Sequence, residues 1–131
     1  MENKRQHLQM IQDAINRMAQ NSFLLKGWSV TVAGGLSALG FKELDGRFFT
    51  VSLVVLFFFW LTDAYYLSRE RLFVKLYNAV RVKSEKEIDF SMDTNELNSG
   101  SIWIKSAFSR TFNVFYGGLL IAHLFSILFV M

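Results

Sequence analysis

Thr111–Met131 reads TFNVFYGGLLIAHLFSILFVM, 21 residues without an acidic or basic side chain when His123 is neutral. As a helix this run is about 31 Å long, enough to cross the hydrocarbon of a bilayer. A second charge-free run, Phe48–Leu61 (FFTVSLVVLFFFWL), continues into Thr62-Asp63-Ala64-Tyr65-Tyr66, and nine of the 14 phenylalanines lie in these two regions. A chain of 131 residues is too short to bury both runs in a core of its own. They therefore predict an all-α integral membrane protein.

Working outward, residues 23–41, FLLKGWSVTVAGGLSALGF, form a further spanning candidate of about 19 residues against the ~20 that a bilayer needs. Lys26 lies one turn in and is expected to snorkel to the headgroups, with Trp28 as its interfacial neighbour. Gly34, Gly35, Ala38 and Gly40 leave one part of this helix small enough for close helix approach, as Gly117–Gly118 does in the last span. A signal peptide is the competing reading, with Gly27–Leu39 as apolar region and Ala38-Leu39-Gly40 as cleavage triplet. The long preceding segment, with Glu2, Asp13 and its own helical stripe, favours an uncleaved anchor.

That segment, 1–22, is expected to be an amphipathic helix on which Leu8, Ile11, Ile15 and Met18 recur at helical spacing. Two uses of the stripe stand open: an oligomer seam, or packing on the protein's own helices. The polar turn 42–47 has Gly46 as its flexible point. The second span, 48–66, carries Trp60, Tyr65 and Tyr66 as an aromatic belt and continues without a breaker into a basic helical extension, 67–83. Residues 84–110 form an acidic linker, a turn at Asn98-Ser99-Gly100, and an interfacial approach with Trp103, Lys105 and Arg110. The third span is 111–131.

Composition agrees: hydrophobic residues make up 52% and charged residues 19%, against roughly 25% charged in soluble domains. The absence of cysteine excludes disulfides and thiolate metal sites, and the absence of proline suits long helices. Lys and Arg number four in residues 1–26, eight in 68–110 and two in 42–47. The positive-inside rule then predicts a cytosolic N-terminus, a short external turn and an external C-terminus.

No reaction chemistry is written here. His7 and His123 lie in different elements, and no zinc pattern, phosphate-binding glycine loop or nucleophile elbow occurs. The expectation is a protein that is not an enzyme and needs no metal or cofactor. Polar groups inside the spans are informative, because lipid penalises them unless they face helices or water. Asp63, Asn113, His123 and Ser126 are the pore or gate candidates; a helix–helix hydrogen bond is the rival role for His123, and a local arginine partner or hydration for Asp63. A pore would require several copies about an axis, hence a symmetric homo-oligomer. Lys4, Arg5, Arg17, Arg69, Arg71, Lys75, Arg81 and Lys83, repeated by symmetry, would attract polyanions such as nucleotides. Binding of anionic membrane lipid is the alternative.

The segments QHLQMIQDAINRMAQNSF, LLKGWSVT and DAYYLSRERLFVKLYNAVR resemble the small membrane effectors of bacterial anti-phage defence systems that answer nucleotide signals. Among these the chain looks most like the Hailong effectors. The resemblance lies in size, segment order and charge placement. It implies a tetrameric channel of the bacterial inner membrane, whose cytosolic, cone-shaped N-terminal part binds oligodeoxyadenylate made by a cognate nucleotidyltransferase. Leu8, Ile11, Ile15 and Met18 would then pack the cone, and Lys4, Arg5 and Arg17 would contact phosphates. The two-transmembrane effectors of cyclic-oligonucleotide systems are similar too, but a third span departs from their simplest pattern. A ligand-gated channel, a non-conducting membrane adaptor and a holin-like toxin are the functions these features admit.

Overall fold

The computed structural model describes residues 1–98 and 100–131. All regular structure among them is helical: α1 (Glu2–Glu43), α2 (Gly46–Arg81), α3 (Ile102–Ala107) and α4 (Arg110–Val130), with short 3-10 turns at Glu85–Glu87 and Asn95–Leu97. α2 and α4 are long and apolar enough to cross a membrane. The apolar half of α1 falls short of that standard, because Gly, Ser, Thr and Lys26 dilute it. Two such helices, and not three, are what the described residues contain.

α1 does not pause between 22 and 23; the amphipathic start and the apolar stretch are one 42-residue helix. Its buried positions are His7, Ile11, Ala14, Ser22, Ser29, Ala33 and Gly40. They are separated by three, four, or a multiple near seven, so one seam runs the length of the helix. On α2 the matching seam includes Phe49, Ser52, Leu56, Asp63, Phe73, Leu76 and Val80. The two helices pair antiparallel along these seams.

The turn between them differs from expectation. Leu44, not Gly46, takes the left-handed conformation that closes α1 (φ 51°), while Gly46 opens α2. Backbone N–H groups of Leu44 and Asp45 both donate to the Gly40 carbonyl, which satisfies the end of α1. Asp45 caps α2 by accepting from the Arg47 N–H at 2.9 Å. Under this turn the Phe49 ring lies on Gly40; a Cβ there would stand 2.6 Å from the ring.

At the other end the hairpin is closed by residues 84–98. Ile11, Ala14, Phe73, Leu76 and Val80 form a core on which Leu8, Ile15, Met18, Tyr77, Ile88, Met92 and Leu97 pack. Full burial of Ile11 alone contributes about 1.5–3 kcal/mol. Leu8, Ile11, Ile15 and Met18 are thus engaged within the chain. The Glu85 carboxylate accepts from the backbone N–H groups of Asn3 (2.8 Å) and Lys4 (3.1 Å) and pairs with the Met1 amino group (3.0 Å). It caps α1 from across the fold, where the helix dipole favours an anion. The expected Asn98-Ser99-Gly100 turn lies outside the described residues at Ser99, and Gly100 has a positive φ of 76°.

α3 leans on the middle of α2. The Trp60 indole donates to the Ala107 carbonyl (2.8 Å), and the Trp103 indole to the Leu61 carbonyl (3.2 Å). The Ser109 hydroxyl then caps α4 by accepting from the Phe112 N–H. α4 returns along the α1–α2 pair beside its apolar half. Only Phe112, Tyr116 and His123 of α4 are buried among the described residues; Val114, Ile121, Leu124, Phe125 and Leu128 face outward.

Candidate functional site

Where α1, α2 and α4 run together, polar side chains gather in two tiers. The first is built on Asp63, wholly buried on α2. Lys26 of α1 donates to Asp63 Oδ2 at 2.7 Å, and the Tyr116 hydroxyl of α4 donates to the same oxygen at 2.7 Å. The Ser22 hydroxyl donates to Oδ1, and Lys26 also reaches the Ser22 oxygen at 2.8 Å. The Lys26 ammonium stands 4.3 Å from the centre of the Phe112 ring, a cation–π contact. Each long helix thus contributes a side chain to one carboxylate.

The local reason lies in α1. Ser22, Lys26, Ser29, Ala33, Ser37 and Gly40 recur every three or four residues, a stripe that is small or polar throughout. A small stripe lets α2 and α4 approach closely. Lys26 therefore turns inward, with a side chain only 19% exposed, instead of snorkelling to the headgroups. Asp63 takes this lysine as its partner and not a neighbouring arginine on α2.

The second tier lies eleven residues away along α2, about 16 Å by helical rise. His123 of α4 places Nδ1 2.8 Å from the Leu119 carbonyl, which can only accept, so Nδ1 carries the proton. Nε2 lies 2.7 Å from the Ser52 hydroxyl and 3.4 Å from the Ser37 hydroxyl. Both ring nitrogens are satisfied, and Ser52 is fully buried. A helix–helix hydrogen bond was one of three roles the sequence left open for His123, beside pore lining and an incidental position. Asn113 donates to the Phe108 carbonyl at 3.1 Å, and Ser126 donates to the Ala122 carbonyl at 2.8 Å.

No family model, curated protein or solved structure matches this chain.

The basic residues distribute over two regions. Arg71 and Lys75, one turn apart on α2, border the same cavity as Lys105 of α3. Arg71 also donates to the Ser106 hydroxyl at 3.4 Å. Arg69 stacks over the Phe73 ring at 5.6 Å. Lys4, Arg5, Arg81 and Lys83 belong to the open end of the hairpin, opposite the Leu44 turn and about 15 Å further along α2 than Arg71 by helical rise. There Arg5 pairs with Glu2 at 2.9 Å. Arg17 is exposed midway along the α1 arm of the hairpin. Sequence reasoning missed Lys26, Lys105 and Tyr116 as members of these groups; the small-residue stripe on α1 was the signal for the first.

His7 is a further buried polar group. Its Nε2 lies 2.8 Å from the Ser91 carbonyl, and its ring rests 5.7 Å from that of Phe90. It ties residues 90–91 to the start of α1. At the same end, hydrogen bonding by the Met1 amino group, and then by the Lys4 and Asn3 N–H groups, holds the Glu85 carboxyl below the ordinary glutamate range.

Proposed function

We propose that this chain is a multi-pass membrane effector that assembles as a homo-oligomeric ion channel, gated by an anionic nucleotide or short single-stranded oligonucleotide at its extramembrane hairpin. The observation that carries this reading is continuity: α1 and α2 extend without a break from the apolar bundle into a hairpin bearing Lys4, Arg5, Arg17, Arg81 and Lys83. A ligand at the hairpin then acts on helices that themselves line the membrane region. It gates only by binding the open and closed states with different affinity.

In this proposal residues 23–41 cross the bilayer as a third span beside α2 and α4. Support comes from Lys26, the single charge in that run, which Asp63 neutralises. Trp28, Trp60, Tyr65 and Trp103 cluster near the Asp63 level, as interfacial aromatics do. The basic hairpin then faces the cytosol and the Leu44 turn faces outward, in the inner membrane of a bacterium. Gly34, Gly35 and Gly118 have open space where a Cβ would be, which suits close approach by a neighbouring copy. Tetrameric assembly, oligodeoxyadenylate as ligand, a nucleotidyltransferase partner and a role in anti-phage defence rest on the resemblance to the Hailong effectors.

Ion flux from liposomes carrying the purified chain, with and without adenine oligonucleotides, tests the proposal. Flux that changes with oligonucleotide supports it; no ion passage under either condition discards it. The chain has no cysteine, so single substitutions report topology cleanly. Lys86→Cys should label from the cytosolic side and Glu43→Cys from the outside. A non-conducting membrane adaptor is the second reading. It is favoured by the saturation of Asp63 and His123 within one chain, which leaves neither needing an aqueous lumen.

A further inference from the structure

Beside α3, the stretch of α2 just past Tyr66 borders an open cavity of about 540 Å³. Arg71, Lys75, Lys105 and Glu70 line its polar side; Leu67, Val74 and Ile102 line its apolar side. Arg71 is oriented by the Ser106 hydroxyl, which itself donates to the Ile102 carbonyl at 2.7 Å. No carboxylate among the described residues forms an ion pair with Lys75 or Lys105. Three cations face one carboxylate, so the cavity favours an anion.

Its height is as informative as its charge. Trp103, next to Ile102, bonds the Leu61 carbonyl at the end of the apolar run, so the cavity opens where that run gives way to charge. A ligand here meets cations on one side and aliphatic side chains on the other. We propose that this cavity seats the phosphate of an anionic glycerophospholipid of the cytoplasmic leaflet, with its glycerol and first acyl carbons against Leu67, Val74 and Ile102. The proposal rests on the membrane orientation given above and is independent of conduction. It separates Arg71 and Lys75 from the cations at the open end of the hairpin, which remain for the nucleotide signal. Lys105, outside the set of basic residues picked from the sequence as ligand contacts, belongs with the lipid group.

The test uses the full chain in mild detergent, mixed with equal phosphatidylglycerol and phosphatidylcholine, with co-purified lipid quantified by mass spectrometry. The unmodified chain should enrich phosphatidylglycerol. Lys75→Gln with Lys105→Gln should lower that enrichment about tenfold or more, since each juxtamembrane cation contributes to anionic-lipid attraction. Lys42→Gln, at the opposite end of the bundle, should leave it unchanged. Equal retention of both lipids by the unmodified chain overturns the proposal, and so does an unaltered ratio in the double variant. Displacement of phosphatidylglycerol from the unmodified chain by an adenine oligonucleotide would assign the cavity to the signal instead. The total lipid retained reports membrane insertion separately, so a lost preference with retained lipid sinks this site alone.

Discussion

Lys26 of α1 and Asp63 of α2 meet at 2.7 Å, and the aspartate is wholly buried at the point where α4 joins the pair. Ser22 and Tyr116 complete the shell around the carboxylate. An ion pair withdrawn from water is costly to assemble but costlier to break from one side, because the survivor keeps its charge without a partner.

Asp63→Ala should therefore destabilise the folded chain by about 3 kcal/mol, leaving Lys26 unpaired. Lys26→Met combined with Asp63→Leu should recover most of that loss, because the apolar pair removes both charges together. Denaturant titration in micelles measures both variants. A double variant no more stable than Asp63→Ala would remove the pair from its place as the organiser of the bundle.

The His123 tier should behave differently. Hydrogen bonds between helices in a membrane contribute about 0.6 kcal/mol on average and up to ~1.7. Ser52→Ala should cost an amount in that range, and Ser37→Ala less, since its hydroxyl is 3.4 Å from Nε2 against 2.7 Å for Ser52. Equal costs for the two serines would contradict the geometry. In the proposed channel, if His123 acts only in packing, Ser52→Ala should leave ion selectivity unaltered in flux assays.

Gly40 predicts a steric effect. An alanine methyl would stand 2.6 Å from the Phe49 ring, so Gly40→Ala should cost about 1–3 kcal/mol. Phe49→Leu in the same chain should relieve part of it. Gly34→Ala meets nothing within 4 Å and should leave the monomer fold unaffected. Thermal unfolding of the three variants, read by far-UV circular dichroism, orders them directly.

Glu85 makes the attachment of the 84–98 segment sensitive to pH. Its carboxyl is held low by the Met1 amino group and then by the Lys4 and Asn3 N–H groups, so its folded pKa lies below the unfolded one. The sign follows: its contribution is complete above the unfolded value of about 4.3 and disappears as pH falls through the folded one. Amide exchange in the first turn of α1 should accelerate across that acid window while α2 residues 46–66 stay protected. Glu85→Gln should show faster exchange there already at neutral pH. Unchanged exchange in the variant would dismiss the cap.

The parts of this fold that were legible in the sequence obey local rules. Charge-free runs mark α2 and α4, and the lack of any breaker after Tyr66 is enough to carry α2 onward to Arg81. Amphipathic spacing identifies the buried face of α1 near Ile11. The Lys26–Asp63 pair was hidden because its partners are 37 residues apart, and a lysine near a span end snorkels as readily as it pairs. The turn falls inside 42–47, but its flexible point differs: Gly46 is the obvious residue for a positive φ, whereas the chain sets Leu44 there and keeps Gly46 for the start of α2. Glu85 reads as one acid in an acidic segment. Its cap depends on that segment folding back onto the start of α1, a long-range event with no local signature.

The unbroken course of α2 has a mechanical consequence. The helix is about 54 Å long, and Asp63 sits near its midpoint, about 26 Å from one end. With Lys26, Ser22 and Tyr116 gripping that point, Phe49 seated on Gly40 near one end and Leu76 and Val80 in the core with Ile11 near the other, α2 is clamped to α1 along its length. The two helices should therefore tilt as a single rod, so that a displacement at Arg81 reaches the Gly46 end with α1 moving alongside.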